Sequence, residues 1–150
     1  MTIENDNLSL CYSMESIEER LDLLACALTQ QYAQERVVAL CVLKGAFMFF
    51  SDLVRKLRLP NLELDFIGLS SYGNGSESSG CVTVKQWIAT DVTDAHVIIV
   101  EDIVDSGRSM HMLLEKMKAL NAKSVTLCVL LDKTSRREYE VPVHYSCFQV

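Results

Sequence analysis

The segment Glu101-Asp-Ile-Val-Asp-Ser-Gly-Arg-Ser109 gathers two adjacent acids, a third acid, two hydroxyls and a glycine into one short stretch. The apolar run His96-Val-Ile-Ile-Val100 just before it has the composition of a buried strand. Glu101 and Asp102 therefore stand at the carboxyl end of a strand, where open α/β sheets bind their ligands. After the turn at Gly107, the apolar positions Met110, Leu113, Leu114, Met117 and Leu120 predict a helix. Amides at a helix N-terminus suit an anion, and the Ser106 and Ser109 hydroxyls add donors. Carboxylates suit sugar hydroxyls and Mg²⁺. Acids capping an exposed turn would account for Glu101 or Asp102 taken singly. The whole ordered segment calls for a ligand that is at once phosphorylated, hydroxylated and metal-bearing.

The elements around this segment must carry it. Ile17, Leu21, Leu24, Leu28 and Tyr32 recur at helical spacing, with Ser16 and Glu19 placed to form a capping box. Val37-Val-Ala-Leu-Cys-Val-Leu43 reads as a strand buried on both faces. Lys44-Gly45 forms a turn after it, and Phe47, Phe50, Leu53, Val54 and Leu57 mark a second helix. Leu62 to Ser70 and Val82 to Ile88 read as strands flanking a Gly/Ser-rich loop from Tyr72 to Gly80, expected to be mobile. Ser124 to Leu131 is a further strand, and Val143 to Val150 a last apolar piece. Strands alternating with helices predict a three-layer α/β fold with a mainly parallel sheet flanked by helices, residues 1–150 forming one domain.

Composition narrows the function. The 150 residues carry a net charge of −6, which argues against broad nucleic-acid binding because that needs a basic footprint. The longest apolar stretch, Val37 to Phe50, is interrupted by Lys44-Gly45 and is too short to span a bilayer. The acidic, polar N-terminus lacks the regions of a signal peptide. The six cysteines form no C-x-x-C pair, and Cys41 and Cys128 sit in apolar strands as small hydrophobes, so a reducing cytoplasm is expected. His96, His111 and His144 are scattered and make no ligand set; Trp87 reads as a packing residue, and Glu63 and Asp65 as solvent-facing.

Val97 to Ser109, a hydrophobic strand followed by two acids, two apolar residues and Asp-Ser-Gly, resembles the phosphoribosyl-pyrophosphate motif of type I phosphoribosyltransferases. Three more matches, in the same chain order, point to the hypoxanthine-guanine branch of that family. Leu43-Lys44-Gly45 is similar to its pyrophosphate loop. Ser70-Ser-Tyr-Gly-Asn-Gly-Ser-Glu-Ser-Ser-Gly80 is similar to its lid. Leu130-Leu-Asp-Lys133 with Ser135-Arg-Arg-Glu138 resembles its purine-side loop. The resemblance runs from about Ser13 to the end.

The resemblance implies transfer of a phosphoribosyl group from phosphoribosyl pyrophosphate to hypoxanthine or guanine, giving IMP or GMP. It implies Mg²⁺ as cofactor and a homodimer or homotetramer. Glu101 and Asp102 would hold the ribose hydroxyls and the metal, and Asp105 would take the proton from the purine ring nitrogen. Ser106, Gly107, Arg108 and Ser109 would cradle the 5′-phosphate. Lys44 and Gly45 would meet the pyrophosphate, with a cis peptide at Leu43–Lys44. Ser71 and Tyr72 would close over the reacting centre, Lys133 would donate to the purine's exocyclic oxygen, and Arg137 would meet pyrophosphate.

Relatives continue beyond the position of Val150 with an aromatic residue that stacks on the purine and an aspartate for a second Mg²⁺. For the sequence as given, the resemblance implies an incomplete hood with less base selectivity and part of the metal shell lost, and leaves three readings: a shortened sequence, a natural chain completed by a partner's segment, or a chain of reduced or no activity. Three rival readings are an aspartic protease, suggested by Ile103-Val-Asp-Ser-Gly107, a relative that regulates RNA, and a silent paralogue that still binds phosphoribosyl pyrophosphate. The helix pattern after Ser109 opposes the first and the net charge of −6 the second.

Overall fold

The computed structural model describes residues 9–71 and 81–150. Its elements are α1 (Met14–Tyr32), β1 (Val37–Leu43), α2 (Phe47–Lys56), β2 (Leu62–Ser71), β3 (Val82–Gln86), β4 (His96–Val104), α3 (Arg108–Ala119), β5 (Ser124–Asp132) and β6 (Tyr145–Gln149). The strands form one sheet in the order β3-β2-β1-β4-β5-β6. All neighbours are parallel except β2 and β3, which are antiparallel at one edge.

The apolar runs are continuous because both faces of the central strands are covered. Side chains alternate across a strand. Val38, Leu40, Val42, Val97, Ile99, Leu127 and Val129 therefore pack with Met110, Leu113, Leu114 and Met117 of α3. Val37, Ala39, Cys41, Ile98, Val100 and Cys128 face the other way, against Leu21, Leu24 and Leu28 of α1 and Phe49, Phe50 and Leu53 of α2. The result is the expected three layers, and an all-β protease fold is ruled out by it.

Several details differ from the sequence expectation. The cap of α1 lies one turn earlier, where Ser13 Oγ accepts from the Ser16 amide at 3.1 Å. Strand β4 runs past Val100 to Val104, so Glu101 and Asp102 are strand residues, their pairing sustained by Glu101↔Val129 and Ile103↔Leu131 on β5. Asp65 is not simply solvated. Its carboxylate accepts from the amides of Phe66, Ala89 and Thr90 and so orders the chain after β3. Burial pushes that carboxyl upward, but the Thr90, Phe66 and Ala89 amides outweigh it and hold it below the usual carboxylate value. Trp87 is 38% exposed, with the Lys116 ammonium 5.5 Å from its ring centroid. All six cysteines are free thiols. Among the described residues no helix is long and apolar enough to cross a membrane.

A buried polar link ties α1 to the sheet. The Tyr32 hydroxyl accepts from Gln31 Nε2 at 3.2 Å and is hydrogen-bonded to Thr126 Oγ1 on β5. Tyr32 and Thr126 are 2% and 4% exposed, so losing one partner strands the other in an apolar setting. Tyr32→Phe is expected to cost about 1–3 kcal/mol in urea unfolding. Adding Thr126→Val should then cost clearly less than it does in the wild-type background. Full additivity of the two changes would contradict the link.

Candidate functional site

The parallel strands β1 and β4 are neighbours, so the turns that leave their carboxyl ends lie side by side. From β1 come Lys44 and Gly45, after a Leu43–Lys44 peptide bond that is cis. From β4 come Glu101 and Asp102. A Cβ placed on Gly45 would fall 2.1 Å from Asp102 Oδ2, so only glycine lets the backbone approach this carboxylate so closely. Asp102 Oδ1 accepts from the Ile103 amide at 2.8 Å, and Glu101 Oε1 accepts from the Asp102 amide at 2.9 Å.

Glu101, Ile103, Val104 and Asp105 to Met110 line one cavity of about 210 Å³. Gly107 turns the chain with φ +84°, a left-handed conformation, and α3 starts at the next residue. No side chain caps α3 and no acid stands in its first turn. Its positive end and the open amides of Ser109 and Met110 are thus offered to an anion. The Arg108 amide lies 3.4 Å from Ser106 Oγ, which folds that hydroxyl back over the turn.

The chain after β5 closes the other side. Ser106 carbonyl accepts from the Glu138 and Tyr139 amides, both at 2.9 Å. Arg108 pairs with Glu138 at 2.9 Å and lies 5.5 Å from the Tyr139 ring centroid, and that ring tilts against His111. Lys133 Nζ stands 3.9 Å from Asp105 Oδ1, and Arg136 stands 3.8 Å from Asp105 Oδ2. Asp105 Oδ1 is buried with no hydrogen-bond partner among the described residues.

Glu101, Asp105, Ser106, Gly107, Arg108 and Ser109, singled out in the sequence, thus meet around one cavity. Asp102 stands beside Gly45, and Lys133 faces Asp105. Ser71 ends β2, whereas Tyr72 and the whole 72–80 stretch lie outside the described residues. Arg137 is turned inward, bonded to the carbonyls of Val104 and Asp105 and to Asp132. Sequence reasoning gave no role to Glu138 and Tyr139, which seal the turn; their only signal is that Glu138 ends a matched motif and Tyr139 follows it.

The match to the phosphoribosyl transferase domain model spans residues 13–150. The chain belongs to the phosphoribosyl transferase family. Within that family it is 35% identical over 148 residues to the hypoxanthine-guanine phosphoribosyltransferase of Streptococcus pneumoniae, covering 99% of this chain and 82% of that protein. It is 38% identical over 142 residues to the enzyme of that name from Dictyostelium discoideum, covering 93% of this chain and 79% of the relative. A solved hypoxanthine phosphoribosyltransferase from Staphylococcus aureus superposes with a TM-score of 0.90 at 29% identity, covering 97% of this chain and 79% of that one. A hypoxanthine-guanine phosphoribosyltransferase from Bacillus anthracis does so with a TM-score of 0.88 at 36% identity, covering 95% and 84%.

A phosphoribosyl transferase that handles a divalent cation needs hard oxygen donors, and Glu101 and Asp102 fit that need. Burial, and then the neighbouring Asp102 carboxyl, push the Glu101 carboxyl up to about 9. A cation would relieve both causes at once. Among the described residues no three acids, histidines or cysteines converge. Two carboxylates with ligand phosphates completing the shell is the usual mode for Mg²⁺.

The raised Glu101 value has a thermodynamic consequence. An unfolded glutamate ionises near its ordinary value of 4.5, while the folded chain keeps the proton up to about 9. In that window the folded state binds more protons, so this residue lowers stability as pH rises. Glu101→Gln has no proton to lose. Its melting temperature should exceed that of the ligand-free wild type, with a margin that grows between about pH 5 and about pH 8 to roughly 2–8 °C. A margin independent of pH in thermal scans would contradict this.

Proposed function

We propose that this chain is a purine-salvage enzyme of the hypoxanthine-guanine type. It transfers the phosphoribosyl group of phosphoribosyl pyrophosphate to hypoxanthine or guanine and releases pyrophosphate. The observation that carries the reading is the convergence of Glu101, Asp105 and the Ser106–Ser109 turn on one cavity. The names of the relatives support it over a silent paralogue or an RNA-binding regulator.

In this reading the amides and hydroxyls of Ser106–Ser109 hold the 5′-phosphate at the positive end of α3. Glu101 and Asp102 hold the ribose hydroxyls and Mg²⁺, which when bound neutralises charge on the departing pyrophosphate. Lys44 and Gly45 meet that pyrophosphate from the end of β1. Lys133, already beside Asp105, donates to the purine's exocyclic oxygen. The bond from the anomeric carbon to pyrophosphate oxygen breaks, a bond to the purine ring nitrogen forms, and Asp105 accepts the proton of that nitrogen. The unpartnered Asp105 Oδ1 suits a base waiting for a donor. Positive charge gathers on the ribose in the transition state, as in glycoside hydrolysis, so water must be kept out. We assign that duty to a lid spanning residues 72–80, with Ser71 and Tyr72 at its near end, on a single domain of residues 1–150.

We further take the enzyme to be a homodimer or homotetramer in the cytoplasm. Phe47 and Met48, 50% and 68% exposed at the start of α2, support self-association. The free thiols support a reducing compartment.

A coupled assay of nucleoside monophosphate formation tests the reading. Wild type should turn over hypoxanthine or guanine only when phosphoribosyl pyrophosphate and Mg²⁺ are both present. Asp105→Asn should retain phosphoribosyl pyrophosphate binding and lose about 10²–10⁴-fold in kcat. Unchanged turnover would remove Asp105 from the role of base.

A further inference from the structure

We propose that Asp132 and Arg137 form a buried ion pair that positions Asp105 and the phosphate turn, so that Arg137 acts through the protein and not by touching pyrophosphate. This rests on the assignment of Asp105 and Ser106–Ser109 made above. The side chains of Arg137 and Asp132 are 17% and 10% exposed and are paired with each other. Arg137 Nε donates to the Asp105 carbonyl at 3.0 Å, and one terminal nitrogen donates to the Val104 carbonyl at 3.2 Å and to the Lys133 carbonyl at 3.3 Å. One guanidinium thus binds the last residue of β4, the first residue of the turn and the exit of β5.

Two further contacts make this a brace for the turn. A Cβ on Gly107 would come within 3.0 Å of Arg137 Cδ and 2.5 Å of the Tyr139 carbonyl, so the turn rests directly on the Arg137 stem. The amides that follow Arg137, those of Glu138 and Tyr139, both donate to Ser106 carbonyl. The Lys133 amide also donates to Val104 carbonyl at 3.0 Å, closing the same seam from the β5 side. A planar fork that reaches several carbonyls and a carboxylate in fixed directions is a property of arginine that lysine lacks. Asp132, buried at the end of β5, fixes the orientation of that fork.

The two roles for Arg137 are separated by a ligand that has a 5′-phosphate and no pyrophosphate, the nucleoside monophosphate product. Calorimetry with GMP, well below the melting temperature, would be run on wild type, Arg137→Lys and Asp132→Asn. A positioning pair predicts that both variants weaken GMP about tenfold or more, the scale of one lost charge-assisted bond, and lower kcat. The double variant should be little worse than either single one. Two results would overturn the pair: Arg137→Lys raising the KM of pyrophosphate in the reverse reaction while GMP affinity holds, or Asp132→Asn leaving GMP affinity and kcat unchanged. Asp132→Asn keeps the side chain's size, so it still tests the pair if the Arg137 variant fails to fold. Lower melting temperature with unaltered GMP affinity would also overturn it, leaving a structural role only. Failure of wild type itself to bind GMP would sink the site assignment above, and the pair with it.

Discussion

Two adjacent carboxyl groups are held near the end of β4, where the setting of Glu101 disfavours its ionisation. Burial keeps water from Glu101, and the adjoining Asp102 carboxyl adds to the cost of its charge. Beyond β5, Lys133 and Arg136 face Asp105, and Arg137 is paired with Asp132. The chain therefore builds a place where negative charge is costly until a cation arrives. A metal-bearing ligand supplies that cation itself, and its phosphate finds the uncompensated end of α3 within the same cavity. Stability given up in the free chain is regained on binding, and so affinity becomes tied to the metal.

The rest of the fold serves to put these groups in register. Parallel pairing of β1 with β4 brings Gly45 against Asp102, where the absence of a side chain is what lets the two strand ends meet. Apolar packing on both faces holds β4 as far as Val100, and pairing with β5 carries it on to Val104 beside Asp132. Beyond them, the chain from Lys133 to Tyr139 folds back and sets the height and tilt of the Ser106–Gly107 turn through its own amides. Precision in the phosphate cradle is thus borrowed from a neighbouring strand's exit, which is the general requirement for a site placed on loops.

Much of this was legible in the residues. Continuous apolar runs at Val37–Leu43 and His96–Val100 announce strands covered on both sides, and the three- and four-residue spacing in α1 and α3 announces the layers that cover them. The acids, hydroxyls and glycine of Glu101–Ser109 mark the cavity because their chemistry is local to one segment. What could not be read depends on return paths through space. The strand reaches Val104, past the two acids, because β5 continues to pair alongside it, which no local pattern encodes. Asp65 looked solvated by alternation, yet amides of Ala89 and Thr90 arrive from a distant turn to claim it. The family resemblance alone gave Arg137 a role against pyrophosphate. Only the turn closed by the Arg137 amide on Thr134 carbonyl, at 3.1 Å, brings it back behind Asp105.

The dependence of the whole arrangement on a cation brought in with the ligand is most directly tested by calorimetric titration of phosphoribosyl pyrophosphate into the wild-type chain. One series would contain Mg²⁺ and the other a chelator. The account predicts one site per chain, tighter by about tenfold or more with Mg²⁺. Equal affinity in the two series, or no heat in either, would contradict it.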